Sequence, residues 1–252
     1  MPAVAILPGA EPFSAAGGPH GALVLHGFTG SPHSMRGLAR ALADAGFAVE
    51  LPLLPGHGTT VEDMATTGWD DWSGAAEAAY DKLAANCDRV VVVGLSMGGT
   101  LTAWLATRHR EIAGIAVING LIEPAAPALR QMIDMMVAQA VPEVPGIGSD
   151  IAEPGGTEVA YDRTPIVCTV SLFDRLPALK ADLAAISAPV LIFTSLEDHV
   201  VPPVSSDTLA AGVSGPVQRV VLERSYHVAT LDYDRDLIER ETVAFALRVT
   251  EG

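Results

Sequence analysis

The chain has 252 residues, enough for one α/β domain with an insertion and a sizeable core. Hydrophobic residues make up 49% and charged residues 18%, a globular composition. The 15 Lys and Arg against 30 Asp and Glu leave a formal charge of −15, which argues against nucleic acid as a partner and against stable adsorption to an anionic membrane.

The N-terminal stretch Met1 to Gly9 has no basic segment and its apolar run stops at Pro8, unlike a signal peptide. No stretch approaches the roughly 20 apolar residues that a bilayer span needs, so a cytoplasmic protein is expected. Apolar, β-rich segments then alternate with helical patterns, which implies a mostly parallel sheet covered by helices on both faces. Ala22 to His26 reads as a strand, and Pro32 to Ala45 as a helix opened by Ser31 as N-cap with Pro32 in the first turn. Phe47 to Pro52 reads as a strand, Trp69 to Asn86 as a helix and Ile112 to Ile118 as a strand. Cys87 and Cys168 lie far apart without ligand spacing, so neither a disulfide framework nor a metal site is indicated, and both read as small buried apolar groups. No cofactor is indicated either.

The most informative run is Val90-Val91-Val92-Val93-Gly94-Leu95-Ser96-Met97-Gly98-Gly99, followed by a helix-forming stretch to His109. Four β-branched residues read as a strand buried on both faces. A bare Gly-x-Ser-x-Gly arises by chance in about one chain in ten of this size. At a strand-to-helix junction it has the context of a nucleophile elbow, where Gly94 and Gly98 are needed because a Cβ would clash. The alternative, a phosphate-binding glycine turn, is disfavoured because no Lys follows and no Gly-x-Gly-x-x-Gly is present.

A serine hydroxyl needs a base, and the base needs a partner that fixes its tautomer. In this type of sheet the order is nucleophile, acid, base, which leaves His109, His199 and His227. His109 ends the elbow helix and reads as its C-terminal charge partner. His227 follows the strand Val217 to Leu222 and is the expected base, while His199 reads as a loop residue. Asp198, after the strand Val190 to Thr194, is the expected acid, with the adjacent Glu197 as its rival. Oxyanion donors are expected from the Met97 N–H and from the Phe28 N–H of His26-Gly27-Phe28-Thr29-Gly30, where Gly27 and Gly30 would let the backbone turn in close. His26 then orients that loop, and His57 of Pro55-Gly56-His57-Gly58 reads as structural.

Residues 121–176 interrupt the alternation and are expected to form a cap on a core of residues 1–120 and 177–252, which resumes with helices at Pro177 to Ile186, Val204 to Ala211 and Asp236 to Val249. Leu129, Met132, Ile133, Met136, Val137 and Ala140 fall at helical spacing within it. That face is expected to pack onto the domain, with its flexible methionines lining an acyl pocket.

These residues resemble the α/β-hydrolase fold, and within it the bacterial monoacylglycerol lipase and carboxylesterase family. The matching stretches run from His26 to Pro32, Leu54 to Thr59, Gly94 to Gly99, Glu197 to Pro203 and Ser225 to Asp234. The resemblance implies Ser96, Asp198 and His227 as a triad, with Phe28 and Met97 as oxyanion donors. It also covers Ile147-Gly148-Ser149-Asp150-Ile151 and Glu158-Val159-Ala160-Tyr161. There it implies that Ile147 borders a substrate channel and that Glu158 bonds glycerol hydroxyls. From its residues alone, Glu158 also reads as a solvated surface carboxylate. Departures at Met132, Met135, Met136 and Gly155-Gly156 bear on acyl length and glycerol preference.

The expected function is serine ester hydrolysis through an acyl-enzyme, with a small acyl ester as partner and a monomer or weak homodimer as the assembly. Two alternatives stand beside it: a C–C bond hydrolase or lyase on the same fold, and a non-catalytic binding protein on a hydrolase scaffold.

Overall fold

The computed structural model describes residues 4–251, so residues 1–3 and 252 of the expected core segments and of the N-terminal stretch lie outside it. The chain opens with a short strand β1 (Phe13–Ala15), then β2 (His20–Leu25), a 3-10 turn (Pro32–Met35), α1 (Arg36–Asp44) and β3 (Ala48–Leu51). It continues with α2 (Val61–Met64), α3 (Trp69–Ala84), β4 (Arg89–Leu95), α4 (Met97–Arg108) and β5 (Gly114–Ile118). Next come α5 (Pro127–Ala138), β6 (Glu143–Pro145), β7 (Arg163–Pro165) and α6 (Ile166–Phe173). The last part holds α7 (Leu176–Asp182), β8 (Val190–Ser195), α8 (Val204–Gly212), β9 (Val217–Leu222) and α9 (Arg235–Thr250).

Seven strands form one sheet in the order β1-β3-β2-β4-β5-β8-β9. Only β1 runs antiparallel, against β3; the other neighbours pair in parallel. The valines of β4 explain its central place. Val90 and Val92 enter the cluster that holds Trp72 and Tyr80 of α3 and Leu101 of α4, while Val91 and Val93 enter the one that holds Leu42 of α1 and Phe245 of α9. Each fully buried valine contributes roughly 1.5–3 kcal/mol, so a strand lined on both sides belongs in the middle.

The chain leaves β2 toward β3 on one side and returns to β4 on the other. The loops after β2 and β4 therefore lie side by side at the C-terminal edge, where such sheets place their ligands.

Four sequence expectations need correction. The helix expected from Pro32 starts as a 3-10 turn, because the Ser31 carbonyl takes the Ser34 N–H three residues on. The region from 121 to 176 carries regular structure beyond one helix: the antiparallel β6–β7 ribbon and α6, whose short or proline-ended segments leave no readable period. The face expected to pack α5 onto the domain is open, with only Ile133 buried while Leu129, Met132 and Val137 stay exposed. Cys168 is buried as expected, whereas Cys87 is half-buried.

Candidate active site

Ser96 sits between β4 and α4 with φ +56° and ψ −119°, in the left-handed region that side chains avoid. The neighbours make that turn possible only as glycines. A Cβ on Gly94 would lie 2.1 Å from the Gly98 oxygen, and one on Gly98 would lie 2.2 Å from the Leu25 oxygen. The Ser96 N–H donates to Ile118 O (3.0 Å) and its carbonyl accepts from Thr100 N–H (3.1 Å), so the backbone is held from the sheet and from the helix. The N-terminus of α4 adds partial positive charge beneath the hydroxyl.

His227 is buried, and its Nδ1 lies 2.8 Å from Asp198 Oδ2. The other Asp198 oxygen accepts from the Val200 and Val201 N–H groups, both at 2.8 Å. The carboxylate is thus nearly enclosed, with its lone pairs directed. Glu197, the rival acid, is exposed and makes no hydrogen bond to His227 among the described residues. With Nδ1 turned to Asp198, the Nε2 of His227 is left for Ser96. Both side chains line one small cavity, of about 20 Å³, together with Gly27, Phe28, Ile147 and Glu158.

Among the described residues, neither the Phe28 nor the Met97 N–H has a protein acceptor. Gly27 packs against the serine, where a Cβ would stand 3.4 Å from Ser96 Cβ, an ordinary contact. The left-handed residue of the loop is Thr29 (φ +60°). Its hydroxyl bonds the preceding carbonyl (2.6 Å), and its own carbonyl accepts the Tyr161 N–H (3.0 Å), which offset the cost of that conformation.

Two buried histidines brace this edge. His26 Nδ1 donates to Gly27 O (3.0 Å), and its Nε2 accepts the Leu54 N–H (3.1 Å). His57 Nδ1 donates to Pro55 O (3.0 Å). Burial depresses both imidazoles, to about 3 for His26, with further help from His57, and to about 4 for His57. Both are neutral at ordinary pH, as struts must be. His109 pairs with Glu77 and Glu111 at the far end of α4, and His199 pairs with Asp150.

The second opening is a cavity of about 390 Å³ that runs from Ser96 beneath residues 121–176. Its wall is made by Val144 and Thr164 of the ribbon, Leu172 and Phe173 of α6, Ile147 and Leu121. No methionine of α5 reaches it. That corrects the expected Met-lined pocket: α5 lies outside the ribbon and α6, which take the place its residues were expected to fill.

Ile147 borders both cavities. Glu158 is held by its N–H on Ser149 Oγ (2.9 Å), and its carboxylate lies against Gly30, where a Cβ would stand 2.6 Å from Oε1. Burial pushes that carboxyl up to about 7, against the lowering influence of the Ser34 hydroxyl and the His227 ring. It is therefore not the solvated carboxylate that its sequence neighbours allow.

Sequence reasoning missed Asn119, Asp150 and Asp232. Asn119 has φ +46°; its side chain accepts the Ser195 N–H (2.8 Å) and donates to Ser195 Oγ and His227 O (both 2.9 Å), tying the ends of β5 and β8 to the histidine loop. An Asn-Gly after a buried strand was the available signal, since Asn tolerates that backbone.

Residues 22–240 match the profile of the alpha/beta hydrolase family. The chain is 46% identical over 242 residues to a thermostable monoacylglycerol lipase of Bacillus sp. (strain H-257), covering 95% of each protein. The chain belongs to the alpha/beta hydrolase family. It is also 27% identical to a carboxylesterase of Bacillus subtilis (strain 168), over 93% of this chain and 95% of that one. A solved structure described with the metagenome-derived lipolytic enzymes LipS and LipT superimposes with TM-score 0.93 at 42% identity, covering 97% of this chain and all (100%) of the other. This family member thus keeps the mostly parallel sheet of its relatives, with the elbow serine at its C-terminal edge.

Proposed function

We propose that the protein is a carboxylic ester hydrolase that holds an acyl chain beneath a cap of residues 121–176 and releases a small polyol, with a monoacylglycerol as its substrate. The observation that carries this is the Asp198–His227 pair at 2.8 Å, opening with a strained Ser96 onto one cavity.

In this reading Ser96 Oγ attacks the ester carbonyl while His227 Nε2 takes its proton, and Asp198 stabilises the imidazolium. The Phe28 and Met97 N–H groups, free of protein acceptors, receive the oxyanion. His227 returns the proton to the leaving alkoxide, and water repeats the sequence on the acyl-enzyme.

The two cavities support the division of the substrate. The larger has mainly apolar walls and suits an acyl tail; the smaller holds Glu158, whose carboxyl titrates near neutral and can both donate to and accept from polyol hydroxyls. Ile147 stands between them. Every residue named comes from one chain, so a monomer suffices. Among the described residues no helix is long and apolar enough to cross a membrane, and a cytoplasmic location belongs to this same proposal.

The test is a chain-length series of monoacylglycerols beside simple alkyl esters, for wild type, Ser96→Ala and Glu158→Ala. Ser96→Ala is expected to abolish turnover of every ester, and undiminished turnover would refute the mechanism. Glu158→Ala is expected to lose monoacylglycerol turnover selectively, whereas equal losses in both series would leave a general esterase.

A further inference from the structure

Asp150 belongs to the segment that carries Ile147 and Glu158, yet its side chain faces the catalytic loops. Its Oδ2 accepts the backbone N–H of His227 (3.0 Å) and that of His199 (3.2 Å). Its Oδ1 lies 2.8 Å from His199 Nδ1, and its own carbonyl accepts the Val228 N–H (3.0 Å). One carboxylate thus holds the backbone of the base and of the residue next to the acid. The carboxylate is 14% exposed and His199 59% exposed, so the ring covers it from the solvent side.

Three consecutive N–H groups of the acid loop are taken by two carboxylates. Residue 199 donates to Asp150, and residues 200 and 201 donate to Asp198. A second carboxylate closes the frame: Asp232 Oδ2 accepts from Ala152 (2.7 Å) and Tyr226 (2.9 Å), joining the same two segments one step further on.

We propose that Asp150 is a positioning residue for the hydrolysis: a carboxylate lent by the cap that sets the acid and base loops in register, so that the triad is assembled only with the cap segment in place. This rests on the ester-hydrolase reading. A carboxylate serves all three contacts: Oδ2 takes two backbone N–H groups, and Oδ1 faces His199 Nδ1, which donates to it in the Nδ1–H tautomer. An Asn there keeps one acceptor, and its N–H₂ faces either a backbone N–H or the ring of His199, where it can bond only the opposite tautomer; in either case the charge is gone. Bonds to a charged acceptor are the stronger kind, and losing one loosens the Asp198–His227 alignment that the transition state depends on.

A residue that only firms the cap would matter for long acyl chains and act through KM. A positioning residue lowers kcat for every ester, including one too short to use the cap. The experiment compares wild type, Asp150→Asn and His199→Ala on p-nitrophenyl acetate and p-nitrophenyl decanoate, together with the rate of Ser96 labelling by a fluorophosphonate.

Asp150→Asn is expected to lower kcat about 10- to 100-fold on both esters, with KM within about twofold, and to slow labelling by the same factor. His199→Ala, which keeps the backbone N–H of residue 199 but removes the ring from Oδ1, is expected to lower kcat on both esters by a smaller factor; it carries the test if Asp150→Asn does not fold. Loss confined to the decanoate and to KM, or an unchanged labelling rate, would overturn the proposal. If wild type turns over neither ester, it is the ester-hydrolase reading that fails instead.

Discussion

Helices α4 and α5 are each 12 residues long, and they differ in nearly everything else. In α4, nine residues from Met97 to Ala106 are buried, polar and small ones among them. In α5 the apolar residues fall on one clean helical face, yet only Ile133 is buried. Periodicity therefore reports that a face exists, not that the fold supplies a partner for it. What seats α4 is backbone contact: Gly98 packs on the Leu25 carbonyl and Gly94 on Gly98, so the helix starts where the sheet ends with no side chain between them.

The largest expected effect is accordingly Gly98→Ala. The added Cβ meets backbone oxygen at 2.2 Å, with no flexible side chain to yield, so the helix must part from β2. We expect a loss above about 4 kcal/mol or no folded protein, read from urea unfolding and expression. A variant within 1 kcal/mol of wild type by rough count would refute the close approach. Leu101→Ala, at a fully buried position of the same helix, is expected to cost about 2–5 kcal/mol.

The same contrast explains what the sequence could and could not yield. The β4 strand, the elbow and the late strand–loop pairs were readable because their signals are local: four valines, two obligatory glycines, and an acid and a histidine each in the loop after a strand. The β6–β7 ribbon was not, since three-residue strands ending in proline carry no period. Nor was the partnering of Asp150 and Asp232, whose long-range bonds go to backbone N–H groups 49 to 80 residues away and leave no mark on the residue types at the other end. The α5 face misled for the reason given above, and its place in the cavity wall is taken by α6 and the ribbon.

The two regions also carry opposite pH slopes. On the core side, His26 and His57 fall to about 3 and 4 from an ordinary 6.5, so the native state binds fewer protons than the unfolded chain. Their contribution is whole above 6.5 and is lost as pH falls toward those values. Within residues 121–176, Glu158 rises to about 7 from 4.5, so the native state binds more protons, and stability is given up as pH climbs from 4.5 through 7. Glu158→Gln removes only the second slope. We expect it to be more stable than wild type at pH 8, with the advantage shrinking toward pH 5, as measured by urea midpoints across that range. An advantage that does not change with pH would show that the carboxyl is not charged at a cost in the native state.

The smallest expected effect lies on the outer surface of α5, at Met132 of the face that the sequence would have buried and at Met135 beside it. Met132 and Met135 are 43% and 51% exposed, and neither reaches the cavity above Ser96. Replacing both with Gln keeps helix propensity and side-chain length while removing the apolar tip. Little area returns to water that was not already there, so the double variant should stay within about 0.5 kcal/mol of wild type and keep its kcat/KM on a short soluble ester. Ile133→Ala, one position along, supplies the control, since burial there predicts about 2–5 kcal/mol against the local structure of α5. If the double Gln variant proved as costly as Ile133→Ala, α5 would have to pack through its methionines after all, and the contrast with α4 would reduce to one of degree.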